Sequence, residues 1–202
     1  MTDHDPLHSM PARERELRKK LGDATLEFVV QIMKMAAADM ETHEPDADRV
    51  IEFDEPMRRH VTETYRQAVE EAAAQGIETA LAWQTLAVWT DEGKQRIGYF
   101  ARALDCVESG RENHLMPRNT GTEWTDTLMR ADCLFEIGQV HAHEGDPAVA
   151  REFLLRALPL AQEAERLRGP AGITSEDGLE GRIAELLVQL PDDGDETIKP
   201  QE

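Results

Sequence analysis

His141-Ala142-His143-Glu144 places two imidazoles and a carboxylate within four residues, side-chain types that hold zinc or iron. On a helix, residues two apart are turned about 200° from each other, so His141 and His143 cannot address one ion while the helix continues. The expectation is structural: a half-buried His141 on a packing face and an exposed His143 near a helix C-terminus, where cations are favoured. No metal or other cofactor is expected. Ser, His and Asp all occur, but no Gly-x-Ser-x-Gly elbow is present. There is likewise no Gly-x-x-x-x-Gly-Lys loop and no Gly-x-Gly-x-x-Gly fingerprint. With 41 acidic side chains, spacing selects no acid–base pair. No catalytic residue is assigned and the chain is expected not to be an enzyme. The alternative is an enzyme or small-molecule sensor with a pocket between helices, using His60, Glu136 or His141.

Composition narrows the classes further. Against the 41 acidic side chains stand 22 basic ones, giving a formal net charge of −19 over 202 residues. Such a molecule repels phosphate backbones, so nucleic acid is not an expected partner. The one basic concentration, Arg13, Arg15, Arg18, Lys19 and Lys20, is diluted by Glu14 and Glu16 and reads as a solvated helix face. Cys106 and Cys133 belong to no Cys-x-x-Cys pattern and are expected as reduced thiols in the core. The first residues, MTDHDPLHSMPARERE, lack an apolar signal core, and no run approaches the roughly 18 apolar residues of a membrane span. A cytoplasmic location without membrane contact is expected.

Helices must position whatever site exists. Aromatics are 5% of the chain, and no alternating β-branched run is bounded by turns, so the fold class is all-α. Leu17, Leu21, Ala24, Phe28, Ile32 and Met35 recur at steps of three and four, which predicts a helix from about Pro11 that fades near Thr42 to Pro45. Glu41 to Pro56 is an acidic connector with a short helical turn at Arg49 to Phe53. Helices are predicted near Pro56 to Gln75, Glu78 to Thr90 and Lys94 to Ser109, with Gly76 and Gly93 marking turns. A last helix is predicted at about Ser175 to Leu190, with Leu179, Ile183, Leu186 and Leu187 on one face. Residues 1–10 and the acidic tail 191–202 are expected to be disordered, leaving 11–190 as one helical domain of about seven helices.

Between residues 131 and 165, Leu134, Ile137, Gly138, a Gly145-Asp146-Pro147 break, Ala150, Leu154 and Ala157 fall at the spacing of a helical hairpin. This segment resembles a tetratricopeptide repeat. Leu134 stands at the pattern's tryptophan, Ile137 and Gly138 at its Leu-Gly pair, His141 at its tyrosine, and Ala150, Leu154 and Ala157 at its small-large-small series. Residues 78–109 carry a weaker likeness through Trp83, Leu86, Ala87 and Phe100. The registers differ: Ala87 to Phe100 is 13 positions and Gly138 to Leu154 is 16. A plain hairpin is the alternative there. The resemblance implies antiparallel hairpins over about 78–165, a helical N-terminal extension and a C-terminal capping helix.

It also implies non-catalytic binding of a basic protein or peptide, as an adaptor or chaperone. If the first helix of each hairpin lines the concave face, the contact residues are Asp132, Phe135, Gln139 and Ala142, with Gln84 and Val88 from the earlier unit. Asp132 would attract a basic group and Phe135 would supply apolar contact. Trp124, after the long loop Gly110 to Thr122, is the best aromatic anchor, whereas Trp83 and Trp89 read as core. Met33, Met35 and Met40 read as ordinary packing, or as an adaptable apolar groove. A further alternative is an obligate homodimer, structural or an immunity protein, in which a second copy buries the N-terminal helix.

Overall fold

The computed structural model describes residues 11–42, 54–109, 122–168 and 178–191. Among these residues the chain is all-α: α1 (Ala12–Thr42), α2 (Glu55–Ala73), α3 (Ala80–Val88), α4 (Gly93–Glu108), α5 (Thr122–His143), α6 (Pro147–Arg168) and α7 (Leu179–Gln189). The expectations for residues 1–10, the turn at Arg49 to Phe53, most of the Gly110 to Thr122 loop and nearly all of the tail fall outside the described residues.

Several helix boundaries have a local cause. Asp54 caps α2 by accepting from Met57 N at 2.9 Å, with Pro56 in the first turn, where its missing N–H costs nothing. Thr79 Oγ1 accepts from Ala82 N at 3.1 Å and starts α3. Gly76 and Gly145 adopt φ of 77° and 81°, the left-handed conformation that stops α2 and α5. Gly93 differs from its expected role as a turn. It is the first residue of α4, and a side chain there would run into Glu144 and Val140 of α5.

Each helix packs on the next, and α7 lies against α5 and α6. The hairpin α5–α6 turns in three residues, which forces its helices antiparallel. Leu134, Ile137, Ala150, Leu154 and Ala157 are all buried in it. Gly138 lets the backbones close: a Cβ there would stand 3.0 Å from Leu154 Cγ and 3.2 Å from the Ala150 carbonyl oxygen. In α3–α4 the corresponding Trp83, Leu86, Ala87, Phe100 and Ala103 are fully buried. The register difference between the two units now has a cause. Phe100 and Leu154 each lie seven residues into their helices; α3 stops at Val88, one residue beyond Ala87, where α5 runs five beyond Gly138, and its connector 89–92 is one residue longer than 144–146, a net difference of three.

The long helix α1 rests on α2. Phe28 stacks on Tyr65 at 4.7 Å and meets Trp89 edge-on at 5.8 Å, which ties α1 to the end of α3. Leu21 and Phe28 are buried, and Leu17, Ala24 and Ile32 pack partly against the core. One expectation is corrected here: Arg18 is not a solvated side chain but 5% exposed, with Nη2 2.7 Å from Glu14 Oε1. A guanidinium can be drawn in this way because its stem is apolar and its head finds a carboxylate one turn away.

Two glycines on helices should respond oppositely to added atoms. Gly138→Leu should lower stability by about 1–3 kcal/mol through overpacking. Gly98→Ala, where a Cβ meets nothing within 4 Å, should raise it by about 0.5–1 kcal/mol. Urea unfolding midpoints check both; equal stability of wild type and Gly138→Leu would remove the close α5–α6 contact from this account.

Candidate partner-binding surfaces

The residues expected on one concave strip do not share one environment. Gln84 on α3 donates from Nε2 to Asp132 Oδ2 on α5, so two of them meet directly across the two hairpins. Val88 is exposed, Gln139 is half-buried, and Ala142 packs partly against the core. Trp124 is half-buried with the Arg168 guanidinium 6.0 Å from its ring centroid. Phe135 is the correction: it is 2% exposed, and Arg182 of α7 lies 4.5 Å over its ring. With α7 in place, Phe135 is core and offers no open apolar contact.

Beside that ring the carboxylates are already engaged. Glu136, one turn after Asp132, accepts from Arg96 Nη2 of α4 at 2.5 Å and has Arg182 Nη2 at 3.9 Å. Arg96 and Arg182 were not legible as site residues, because their partner lies 40 and 46 residues away in sequence. Burial pushes the Asp132 carboxyl above its ordinary range, and the charge of Glu136 pushes it further. The Gln84 hydrogen bond and the positive charge of Arg182 oppose this without cancelling it. These side chains cross-link α3, α4, α5 and α7.

The histidines serve separate places. His141 is half-buried and stacks on Phe153 at 5.7 Å and 8°, while His143 is exposed with Nδ1 3.0 Å from the Gln139 carbonyl oxygen. His60 lies far off in chain and fold, on α2. His60, Glu136 and His141 therefore face three different neighbourhoods. Among the described residues no three His, Cys, Asp or Glu side chains gather with metal-binding geometry. Cys106 and Cys133 are buried and form no disulfide.

Two of the concave regions among the described residues differ sharply in chemistry. One cleft of about 730 Å³ is lined by Arg58, Arg59, Arg66, Glu63, Asp91 and Tyr99 among others. Its arginines are paired: Arg58 with Glu55 and Asp91, Arg59 with Glu55, and Arg66 with Glu63 and Glu70. The Arg58 and Arg59 guanidiniums hold the Glu55 carboxyl down to about 2. These guanidiniums therefore stabilise carboxylates of the same chain. The second region is a groove of about 470 Å³ between α1 and α2, floored by Ala24, Phe28, Val61, Tyr65 and Ala68. Glu27, Gln31, His60 and Thr64 line it as polar groups, and Met57, 46% exposed, completes it. No sequence pattern marked this groove, because its lining comes jointly from two helices, α1 and α2.

Asp132 gives a pH test of the buried cluster. A carboxyl whose pKa is raised by folding weakens the fold once it is ionised, and this cost disappears as pH falls through its folded pKa. Asp132→Asn keeps an oxygen for Gln84 and carries no charge, so it should be more stable than wild type at neutral pH. The advantage should shrink on acidification, as thermal melts across pH would record. A constant advantage at every pH would mean that Asp132 is not the group responsible. Comparison of the whole chain with protein-family models, curated proteins and solved structures finds no match.

Proposed function

We propose that this chain is a non-catalytic protein-interaction module, an adaptor or chaperone built as a short tetratricopeptide-like array. In this reading the α1–α2 groove receives apolar side chains of a basic partner segment. One observation carries it: the groove presents an aromatic and aliphatic floor next to an exposed methionine, whereas the arginines of the 730 Å³ cleft are engaged in internal ion pairs. Grooves of this type accept the apolar face of a partner helix, with side chains three and four residues apart as anchors. Basic character in the partner follows from the formal net charge of −19, which speeds encounter with cations and turns away anions. The small-large-small packing of α3–α6 supports the repeat-like part of the reading, and the two reduced thiols suit a cytoplasmic setting.

The α3–α5 strip of the original expectation is less suited to be the main contact. Its apolar member Phe135 is covered, and its acidic member Asp132 is half-buried and already hydrogen-bonded. Val88 stays exposed at its edge, while Gln84 is engaged with Asp132.

Fluorescence titration of the full chain with labelled amphipathic helical peptides, one series basic and one acidic on the polar face, tests the proposal. The basic series should bind, and affinity should fall as salt rises through the screening range. Met57→Lys removes an apolar contact and adds a like charge at an exposed position, so it should weaken binding at least about tenfold without lowering the melting temperature. Equal binding of both series, or unchanged affinity of Met57→Lys, would sink the groove as the partner site.

A further inference from the structure

Helix α7 lies over Phe135, the apolar member of the strip expected to meet a partner, and its own attachment is thin. Ile183 is its one fully buried side chain, while Leu179, Leu186 and Leu187 pack partly against the same core as Phe135, Leu154 and Ala161. With Leu190 they recur at steps of three and four, the apolar stripe of a helix laid on a surface. Arg182 is the only basic residue of α7. It lies 4.5 Å over the Phe135 ring and 3.9 Å from Glu136 Oε1, yet its side chain stays 47% exposed. Gln162 donates to Glu180, and Arg151 to the carbonyls of Leu190 and Pro191, so α7 runs antiparallel to α6.

Three features make α7 an exchangeable occupant of this face. It has 11 residues, fewer than a helix needs to hold its shape alone. Its N-cap is Gly178, which has no side chain to offer the first amides, and Gly181 lowers helix propensity within the first turn. Its charge also suits the chain poorly. Glu180 and Glu185 outnumber Arg182, and the residues that follow add Asp192, Asp193, Asp195, Glu196 and Glu202 against Lys199. An acidic segment is thus held on a chain of net charge −19, through one arginine set on an aromatic ring and beside a carboxylate.

We propose that the α5–α6 face under α7 is a docking site for a basic amphipathic helix of a partner protein, with α7 as its internal stand-in. The partner helix exchanges with α7, sets an arginine on Phe135 beside Glu136, and puts the next residue, isoleucine or leucine, where Ile183 sits. Added positive charge on its outer side is attracted by the acidic chain, which α7 is not. A helix tethered to the face it covers competes at an effective concentration on the order of millimolar, so the partner must outcompete it. This face is separate from the α1–α2 groove, and it holds or fails independently of the groove as a binding site.

Fluorescence anisotropy of a labelled peptide of residues 178–191, carrying Glu185→Lys and Val188→Lys at two exposed positions, tests this on the full chain. It should bind Ile183→Ala protein at least about tenfold more tightly than wild type, because truncating that side chain weakens the tethered α7. Circular dichroism checks that Ile183→Ala stays helical. A second arm does not need that variant: Gln162→Cys and Glu180→Cys, joined by a short bis-maleimide, pin α7 in place and should abolish binding that the unjoined protein shows. Met57→Lys, which blocks the α1–α2 groove, should leave this affinity unchanged. Within the peptide, Arg182→Ala should weaken binding at least about tenfold. No binding to Ile183→Ala, equal affinity for it and wild type, binding that survives the cross-link, a loss with Met57→Lys, or no loss with the Arg182→Ala peptide would each overturn the proposal. A native-sequence peptide that binds more tightly than the lysine-bearing one would make α7 of a second copy the fitting occupant and overturn the basic partner helix.

Discussion

The contact between α5 and α6 at Gly138 is the constraint on which the rest of this structure depends. Because a side chain at 138 would meet Leu154 and the Ala150 carbonyl within about van der Waals distance, the two helices run closer than aliphatic packing alone permits. Their shared surface is deeply buried, with Ala150, Leu154 and Ala157 inaccessible. The other parts are placed by this hairpin. Helix α4 lies on one side of it, and α7 lies on the other with Ile183 sealed against it. Arg151 of α6 then holds the end of α7 by donating to the carbonyls of Leu190 and Pro191 at 3.1 and 3.0 Å. Those carbonyls would otherwise have no partner at the end of the helix.

Electrostatics in this chain works in two regimes. On α2, arginines and glutamates three or four residues apart pair at the surface, where each pair contributes little to stability but consumes the charge of the arginine. Around Asp132 the charge is withdrawn from water, so its protonation is coupled to folding. The cross-links from Gln84, Arg96 and Arg182 hold three other helices to α5, and this explains why an acidic strip expected to be open is partly internal. The excess negative charge that remains lies on exposed faces and acts at a distance. Its effect is on which molecules approach.

Helix α1 reaches two neighbours from one face. Its Phe28 face is used by Tyr65 and Trp89 to join α2 and α3, and the groove between α1 and α2 lies beside that joint. The opposite flank carries Leu26, Val29 and Met33, which are exposed among the described residues.

Local spacing was enough to determine the all-α class, the order of the helices and most of the core. Leu21 and Phe28, Trp83 and Leu86, Phe100 and Ala103, and Ile137 and Leu154 all recur at helical steps, and burial follows from that periodicity whatever the helices pack against. Gly76, Gly145 and Asp54 likewise signal their roles locally, through left-handed φ or a capping side chain. The exposure of Phe135 could not be read in this way, since it depends on whether α7 comes to lie over it. Arg18 buried beside Glu14, the joining of Glu136 to Arg96 and Arg182, and the α1–α2 groove have the same origin. Periodicity states which residues share a face of one helix. Which face is covered, and which carboxylate loses water, is decided by elements distant in sequence, because desolvation and ion pairing depend on distance in space.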